Sequence, residues 1–298
     1  MRARINFKSY SLDITGVLYL PDDYDGRMLA AVVVSHPAGG VKEQTAARYA
    51  EELSRCGFAS LAFDAAYQGE SGGEPRGLED PFQRAEDIRA AVSYLASRSD
   101  IDSERIGVLG ICASGSYVSY AAQTDRRMKA IATVSAVDPA AELLHDRGVK
   151  DTLLNQAGIL RNMEARGEGV CEFNMLPETK AAADALPARS MYGESYAYYR
   201  GALGHHLRST GWGLIRYDVF AHFSPFQNIA WIAPRPMLMI AGSEADTRHC
   251  SEDAVARAGE NAELHNIEGA SHMDLYYRDD FIPQVIFKLN DFFTRHLK

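Results

Sequence analysis

The chain has 298 residues, 46% of them hydrophobic and 24% charged, the composition of an ordinary globular protein and enough length for one large α/β domain with an insertion or for two ordinary domains. Its formal net charge of −9 at pH 7 argues against sequence-independent nucleic-acid binding and against docking on anionic membranes, since both need a basic surface. No segment has the uninterrupted apolar length of a membrane helix, and residues 1–8 carry positive charge with no apolar run behind it, unlike a secretory signal.

In chain order, residues 12–20 alternate as an early strand that stops at Pro21. Residues 29–35 form a Val-rich apolar run, which suits a strand buried on both faces. The loop His36-Pro37-Ala38-Gly39-Gly40 follows. Residues 43–55 then carry Ala46, Ala47, Ala50 and Leu53 on one helical stripe, and Gly57 ends it. Residues 58–63 predict a second strand, followed by a Gly-rich loop to Gly73. This loop lacks the lysine of a phosphate-binding loop, so nucleotide binding is not expected. Asp80 is placed to cap a helix over 81–97, with Pro81 at its first position. Residues 105–111 predict a strand running directly into a helix from about 114, and 128–134 another strand. The rhythm implies a mostly parallel sheet with helices on both faces.

From Pro139 to Ile229 that rhythm stops. A structureless loop of such length is improbable, and helical spacing recurs over 150–166, over 177–185 and at Tyr192, Tyr196 and Tyr199. This predicts a helical insertion over 139–229 between two parts of an α/β core, 1–138 and 230–298. The core pattern resumes with a strand at 236–241, a helix at 252–258, a strand at 264–267 and a closing helix at 282–296.

Cys112 is the candidate nucleophile. It stands where a buried strand turns into a helix, with Gly110 two before it, Ser114 two after and Gly115 three after. A nucleophile elbow needs small residues at that spacing, because its strained turn brings neighbouring backbone close. Ser114 is the rival, but an elbow centred there would put Tyr117 where a small residue is required. A helix N-terminus and a neighbouring histidine would both favour the thiolate of Cys112. His272 lies on the loop after the last strand, where it can reach the C-terminal edge of the sheet and act as base and then acid. Asp246, just beyond the preceding strand, is the acid expected to hold the other imidazole nitrogen, with Glu244 as its rival. The chain order of nucleophile, acid and histidine is that of this catalytic arrangement. The backbone N–H of Ala113 with that of Ala38 or Gly39 is expected to form an oxyanion hole. His36 reads as a loop-orienting or substrate-touching residue, and Tyr196 and Tyr199 as insertion residues facing either substrate or core.

The four cysteines, Cys56, Cys112, Cys171 and Cys250, show neither metal-ligand spacing nor a disulfide framework, and read as free thiols in a reducing, cytoplasmic compartment. His205, His206 and His222 also lack ligand spacing, so no metal and no cofactor are expected.

Together these residues resemble the α/β-hydrolase superfamily, and more narrowly its dienelactone-hydrolase-like branch, whose elbow has the form G-x-C-x-G-G where this chain has Gly110-Ile-Cys112-Ala-Ser114-Gly115. Asp246 and His272 match that family's acid and histidine positions. The segment HPAGGVKEQ and the tail GASHMDLY are similar to a subgroup that includes fungal polyketide transferases and thiohydrolases. The resemblance implies a mostly parallel sheet flanked by helices and acyl chemistry on a small-molecule substrate, and the insertion over 139–229 is expected to form a helical lid. Two departures, His36-Pro37 in place of a loop glutamate and the long insertion, argue against carrying over the family's lactone substrate. The expectation is a hydrolase of esters, lactones or thioesters. An acyltransferase using the same acyl-enzyme is the alternative, and a non-catalytic binding protein on this fold a second one. A homodimer is the default assembly.

Overall fold

The computed structural model describes residues 1–144, 146–168, 176–209 and 214–297, so Cys171 lies outside the described residues. Eight strands form one sheet: β1 (Arg2–Ser9), β2 (Leu12–Tyr19), β3 (Leu29–Ser35), β4 (Ala59–Phe63), β5 (Ile101–Ile111), β6 (Ala130–Val134), β7 (Met237–Gly242) and β8 (Ala262–Ile267). Their spatial order is β1-β2-β4-β3-β5-β6-β7-β8. The first two strands make an antiparallel hairpin and β2 runs antiparallel to β4, while every later pairing is parallel. All seven residues of β3 are buried, as its unbroken apolar run requires of a strand covered on both faces. The edge strand β1 was not anticipated. Its alternation is diluted by Arg2, Arg4 and Lys8, and Ile5 and Phe7 are its apolar residues packed against the core, with Ser9 buried beyond them.

Helices α1 (Thr45–Arg55), α2 (Pro81–Ala96) and α3 (Ala113–Thr124) connect the central strands. Asp80 caps α2 as expected, accepting from the N–H groups of Phe82 and Gln83. Among the described residues, five α-helices lie between β6 and β7: α4 (Pro139–Leu144), α5 (Arg147–Ala165), α6 (Lys180–Asp184), α7 (Met191–Tyr199) and α8 (Tyr217–Phe220). The insertion is not purely helical, because Leu214–Ile215 pairs in parallel with Leu78–Glu79. Two-residue strands of this kind carry no periodicity to read. Then come α9 (Arg248–Ala258), α10 (Asp274–Tyr277) and α11 (Ile282–Leu297). Among the described residues, no helix is long and apolar enough to cross a membrane.

The connectivity locates the crevice. From β3 the chain moves to β4 on one side, and β5 then joins β3 on the other. Loops leaving the C-terminal ends of β3 and β5 therefore diverge, and that reversal opens a cleft where ligands bind in open α/β sheets. Residues 36–40 leave β3 at this point and Cys112 leaves β5, with Ser35 registered opposite Gly110.

Candidate active site

Cys112 occupies a left-handed backbone conformation, φ 58° and ψ −125°, between the last residue of β5 and the first of α3. A non-glycine residue with positive φ is strained. The elbow exists because its neighbours are small. A Cβ on Gly110 would stand 2.1 Å from the Ser114 carbonyl oxygen, and one on Gly115 would stand 2.6 Å from the Ala136 Cβ. The spacing read from sequence is thus a steric requirement of this turn.

The Ser114 hydroxyl is engaged in hydrogen bonds away from the elbow tip. This buried hydroxyl donates to the His36 carbonyl at 2.5 Å, accepts from the Arg84 guanidinium at 2.9 Å and lies 2.9 Å from the Ser35 hydroxyl. Around it is a buried network that the sequence reading missed. Arg84 pairs with Glu79 at 3.1 Å, and both side chains are almost wholly buried. Arg84 also reaches His36 Nε2 at 3.0 Å, and the Ala65 N–H donates to the same nitrogen at 3.1 Å. Because Nε2 accepts, Nδ1 carries the proton and donates to the Pro37 carbonyl at 2.7 Å. Burial first, and the Arg84 charge second, push the His36 pKa well below its ordinary value. His36 is a neutral brace for the loop. The signal for Arg84 was in the sequence: it falls on the same helical stripe as Ala85, Ile88, Ala91, Val92 and Leu95, and an arginine on a core stripe needs a partner.

The loop after β3 is held from several sides. Lys42 forms a buried ion pair with Asp64 at 2.8 Å, and Asp64 also accepts from the backbone N–H groups of Lys42 and Glu70. The Gly39 N–H, one of the expected oxyanion donors, is directed at Glu79 Oε2 at 3.4 Å. That reverses the expectation for Gly39, because a carboxylate from the Arg84 network reaches it. The Gly39 carbonyl accepts from Ser209 of the insertion at 2.8 Å. By contrast, the Ala38 N–H has no hydrogen-bond partner among the described residues, and the Ala113 N–H meets only the Cys112 sulfur.

His272 is fully buried on the loop between β8 and α10. Its Nδ1 lies 2.6 Å from the Thr247 hydroxyl, and its Nε2 lies 3.1 Å from the Tyr276 hydroxyl. The Tyr276 hydroxyl also stands beside the Cys112 thiol and lowers its pKa. Cys112, Tyr276, His272 and Thr247 thus lie in one row of polar neighbours. This corrects two expectations. Asp246 does not hold the imidazole: its carboxylate accepts from the Met191 N–H at 3.0 Å, at the start of α7. The rival Glu244 pairs with Arg189 of the insertion at 2.9 Å. Thr247 takes the position beside Nδ1 because it stands at the N-cap of α9 without using its side chain to cap the helix. Periodicity could not reveal which of two adjacent loop residues turns inward.

The second correction concerns ionisation. Burial pushes the Cys112 thiol up to about 11, against smaller lowering effects from the Tyr276 hydroxyl and the Ala113 N–H. Burial likewise pulls His272 down to about 3. The helix N-terminus acts in the expected direction, but desolvation of a sulfur that is only 5% exposed outweighs it. The resting pair is a neutral thiol and a neutral imidazole.

Helix α7 packs against these groups. Tyr199 is buried within electrostatic reach of Cys112. Tyr198, one residue away and absent from the predicted stripe, packs edge-on against Tyr276 with ring centroids 5.3 Å apart, while its hydroxyl accepts from the Thr45 N–H at 3.0 Å. Tyr196 is half-buried on the same helix. Glu194 accepts from the Ser271 hydroxyl at 2.6 Å, and Arg189 pairs with Asp274 at 3.0 Å. These contacts tie α7 to the histidine loop. A cleft of about 220 Å³ reaches Tyr276 from outside, lined also by Arg48, Tyr198, His205 and His206.

Comparison with known proteins agrees with this architecture. The profile of the Dienelactone hydrolase family matches residues 14–162. The protein YcjY of Escherichia coli (strain K12) is 36% identical over 300 residues, spanning 98% of this chain and 97% of its own length. Thiohydrolase aneE of Aspergillus aculeatus is 28% identical over 247 residues, 79% of this chain and 74% of its own. The crystal structure of the α/β hydrolase GrgF from Penicillium sp. sh18, a protein also named a polyketide transferase, superposes with a TM-score of 0.82. At 20% identity over 100% of this chain and 99% of that one, this last likeness shows the fold.

Proposed function

This chain belongs to the dienelactone hydrolase family, and from that premise we propose that it is a cytoplasmic enzyme that cleaves an ester or thioester of a small-molecule acid through an acyl-enzyme on Cys112. The observation that carries the reading is the strained Cys112 at the tip of β5, with the backbone N–H groups of Ala38 and Ala113 not spent on other oxygens. In the proposed reaction the thiol proton passes to the Tyr276 oxygen as the Tyr276 proton passes to His272 Nε2. The sulfur attacks the acyl carbon, and the oxygen that gains charge is held by the Ala113 and Ala38 N–H groups. Collapse breaks the bond to the alcohol or thiol leaving group, which takes the proton from the imidazolium. Water then attacks the acyl-enzyme by the same route and releases the acid, restoring the thiol.

In this reading Thr247 accepts from Nδ1–H, the tautomer that leaves Nε2 free as the base. A relative named a thiohydrolase supports a thioester as the first substrate to try. Residues 139–229 act as a lid in this reading, with Tyr196 and Tyr199 shaping the acyl side.

Acyl transfer is the second reading. It is favoured by the enclosure of Cys112 under α7, since a site that excludes water leaves the acyl-enzyme to an alcohol or amine acceptor. The test is a panel of p-nitrophenyl esters and acyl thioesters of varied chain length, with wild type and Cys112→Ala, analysed for products with and without an acceptor. Turnover that vanishes in Cys112→Ala supports the reading, and the acid-to-conjugate ratio separates hydrolysis from transfer. Equal turnover by Cys112→Ala refutes it. Failure of every substrate to acylate Cys112 in the wild type favours a binding protein.

A further inference from the structure

Where α4 passes the first turn of α9, three side chains of metal-ligating chemistry converge: Glu142, His249 and Cys250. Glu142 Oε1 lies 2.9 Å from His249 Nε2, and the Cys250 sulfur lies 3.5 Å from each of them. We propose that these residues form a binding site for a zinc-type divalent cation, with three protein ligands and one open position. This site is separate from the Cys112 centre and independent of the reaction proposed there.

Three observations carry the assignment. The first is the spacing. A tetrahedral zinc ion with Zn–S of ~2.3 Å and Zn–N or Zn–O of ~2.0 Å sets sulfur-to-nitrogen and sulfur-to-oxygen edges of ~3.5 Å and a nitrogen-to-oxygen edge of ~3.3 Å. Two of the three edges already have that length. The third must open by about 0.4 Å to admit the ion, and the side chains of Glu142 and His249 are exposed enough to allow it.

The second is the supporting shell. His249 Nδ1 lies 3.0 Å from the Asp246 carbonyl oxygen. A carbonyl only accepts, so Nδ1 carries a proton and leaves Nε2, once it gives up any proton of its own, to present its lone pair between Glu142 and Cys250, the arrangement that orients a metal-binding imidazole. The backbone N–H of Asp138 points at the Cys250 sulfur, as N–H groups do around metal-bound thiolates.

The third is charge. The carboxylates of Asp138 and Asp246 both feel the charge of Glu142. These carboxylates add negative charge around the Glu142 oxygen that lies 2.9 Å from His249 Nε2, which favours a cation there. When the cation binds, Cys250 releases its thiol proton to solvent as the sulfur–metal bond forms. Sequence spacing hid the set: His249 and Cys250 are adjacent, and Glu142 comes from the insertion 107 positions earlier.

The experiment uses the full chain carrying Cys112→Ala, which removes the other buried thiol beside a histidine, and titrates it with Co²⁺ and then Zn²⁺. One equivalent of cobalt should bind, with a thiolate-to-metal charge-transfer band and the intense visible bands of tetrahedral geometry, and zinc should displace it. Cys250→Ser should abolish the charge-transfer band. His249→Gln and Glu142→Gln, at more exposed positions where folding is not at stake, should each weaken binding at least about tenfold. Absence of a spectral change at stoichiometric cobalt, or a band that persists in Cys250→Ser, overturns the site and leaves a His249–Glu142 ion pair. Because every protein in the series lacks the Cys112 thiol, a failure here is distinct from a failure of the acyl-enzyme reading.

Discussion

Removing one oxygen from Tyr276 tests how Cys112 and His272 communicate. Burial raises the thiol to about 11 and lowers the imidazole to about 3, and both effects favour the proton on sulfur over one on His272. The resting pair is therefore neutral, and in the proposed reaction the proton moves as the acyl carbon is attacked. In that reaction the Tyr276 hydroxyl is the bridge, 3.1 Å from Nε2 and beside the thiol, whose pKa it lowers. Tyr276→Phe keeps the ring that packs against Tyr198 and deletes only the relay. We expect kcat/KM to fall about 100-fold or more, the low end of what a positioned proton carrier supplies. Stability should drop by about 1–3 kcal/mol, since the Nε2 acceptor is left buried without a donor. The Cys112 thiol should titrate still higher, because one of the bonds that lowers it is gone. The assays are kcat/KM on an activated thioester, urea unfolding, and thiolate absorbance against pH. Tyr198→Phe serves as a control that alters stability through its Thr45 contact while leaving the relay intact. A Tyr276→Phe enzyme within threefold of wild-type kcat/KM, or faster, would refute the relay and make Tyr276 a plug that must swing aside.

Thr247→Val should reduce kcat more than Asp246→Asn does, because Thr247 holds Nδ1 of the base while Asp246 holds the start of α7; the reverse order in steady-state kinetics would return Asp246 to the imidazole. Arg84→Met should destabilise the fold by about 3–5 kcal/mol by leaving Glu79 buried and unpaired, and Arg84→Met with Glu79→Gln should recover part of that loss; chemical denaturation of the two variants decides, and additive losses would show that the pair is not coupled. Since the His272 pKa is depressed in the folded state, the unfolded chain takes up a proton between about 6.5 and about 3 that the folded one refuses. Stability contributed by this residue is thus present above about pH 6.5 and falls as pH drops, by about 2 kcal/mol at pH 5. The difference in unfolding free energy between wild type and His272→Gln, measured at pH 7 and pH 5, should shrink accordingly, and a pH-independent difference would show that the imidazole is not held neutral.

The sequence by itself determined the parallel core, the elbow at Cys112 and the loop position of His272. Each of these is a local consequence of the chain: Val-rich runs must be buried on both faces, and a strand can turn sharply into a helix only where Gly110, Ser114 and Gly115 leave room. It also led to Ala38 and Ala113 as candidate donors, because their loops follow strands that the topology makes neighbours. What the tertiary structure alone decided is how side chains from distant segments meet. Which of Asp246 and Thr247 faces His272 depends on how α9 begins and on where α7 lies, and the insertion claims Asp246. Gly39 is turned to Glu79 by a buried network whose members lie between positions 35 and 114. The ionisation of Cys112 was also beyond local reading. A helix N-terminus and a nearby histidine are visible in the sequence and favour the anion, but desolvation is set by everything packed around the sulfur, and here it is the larger effect.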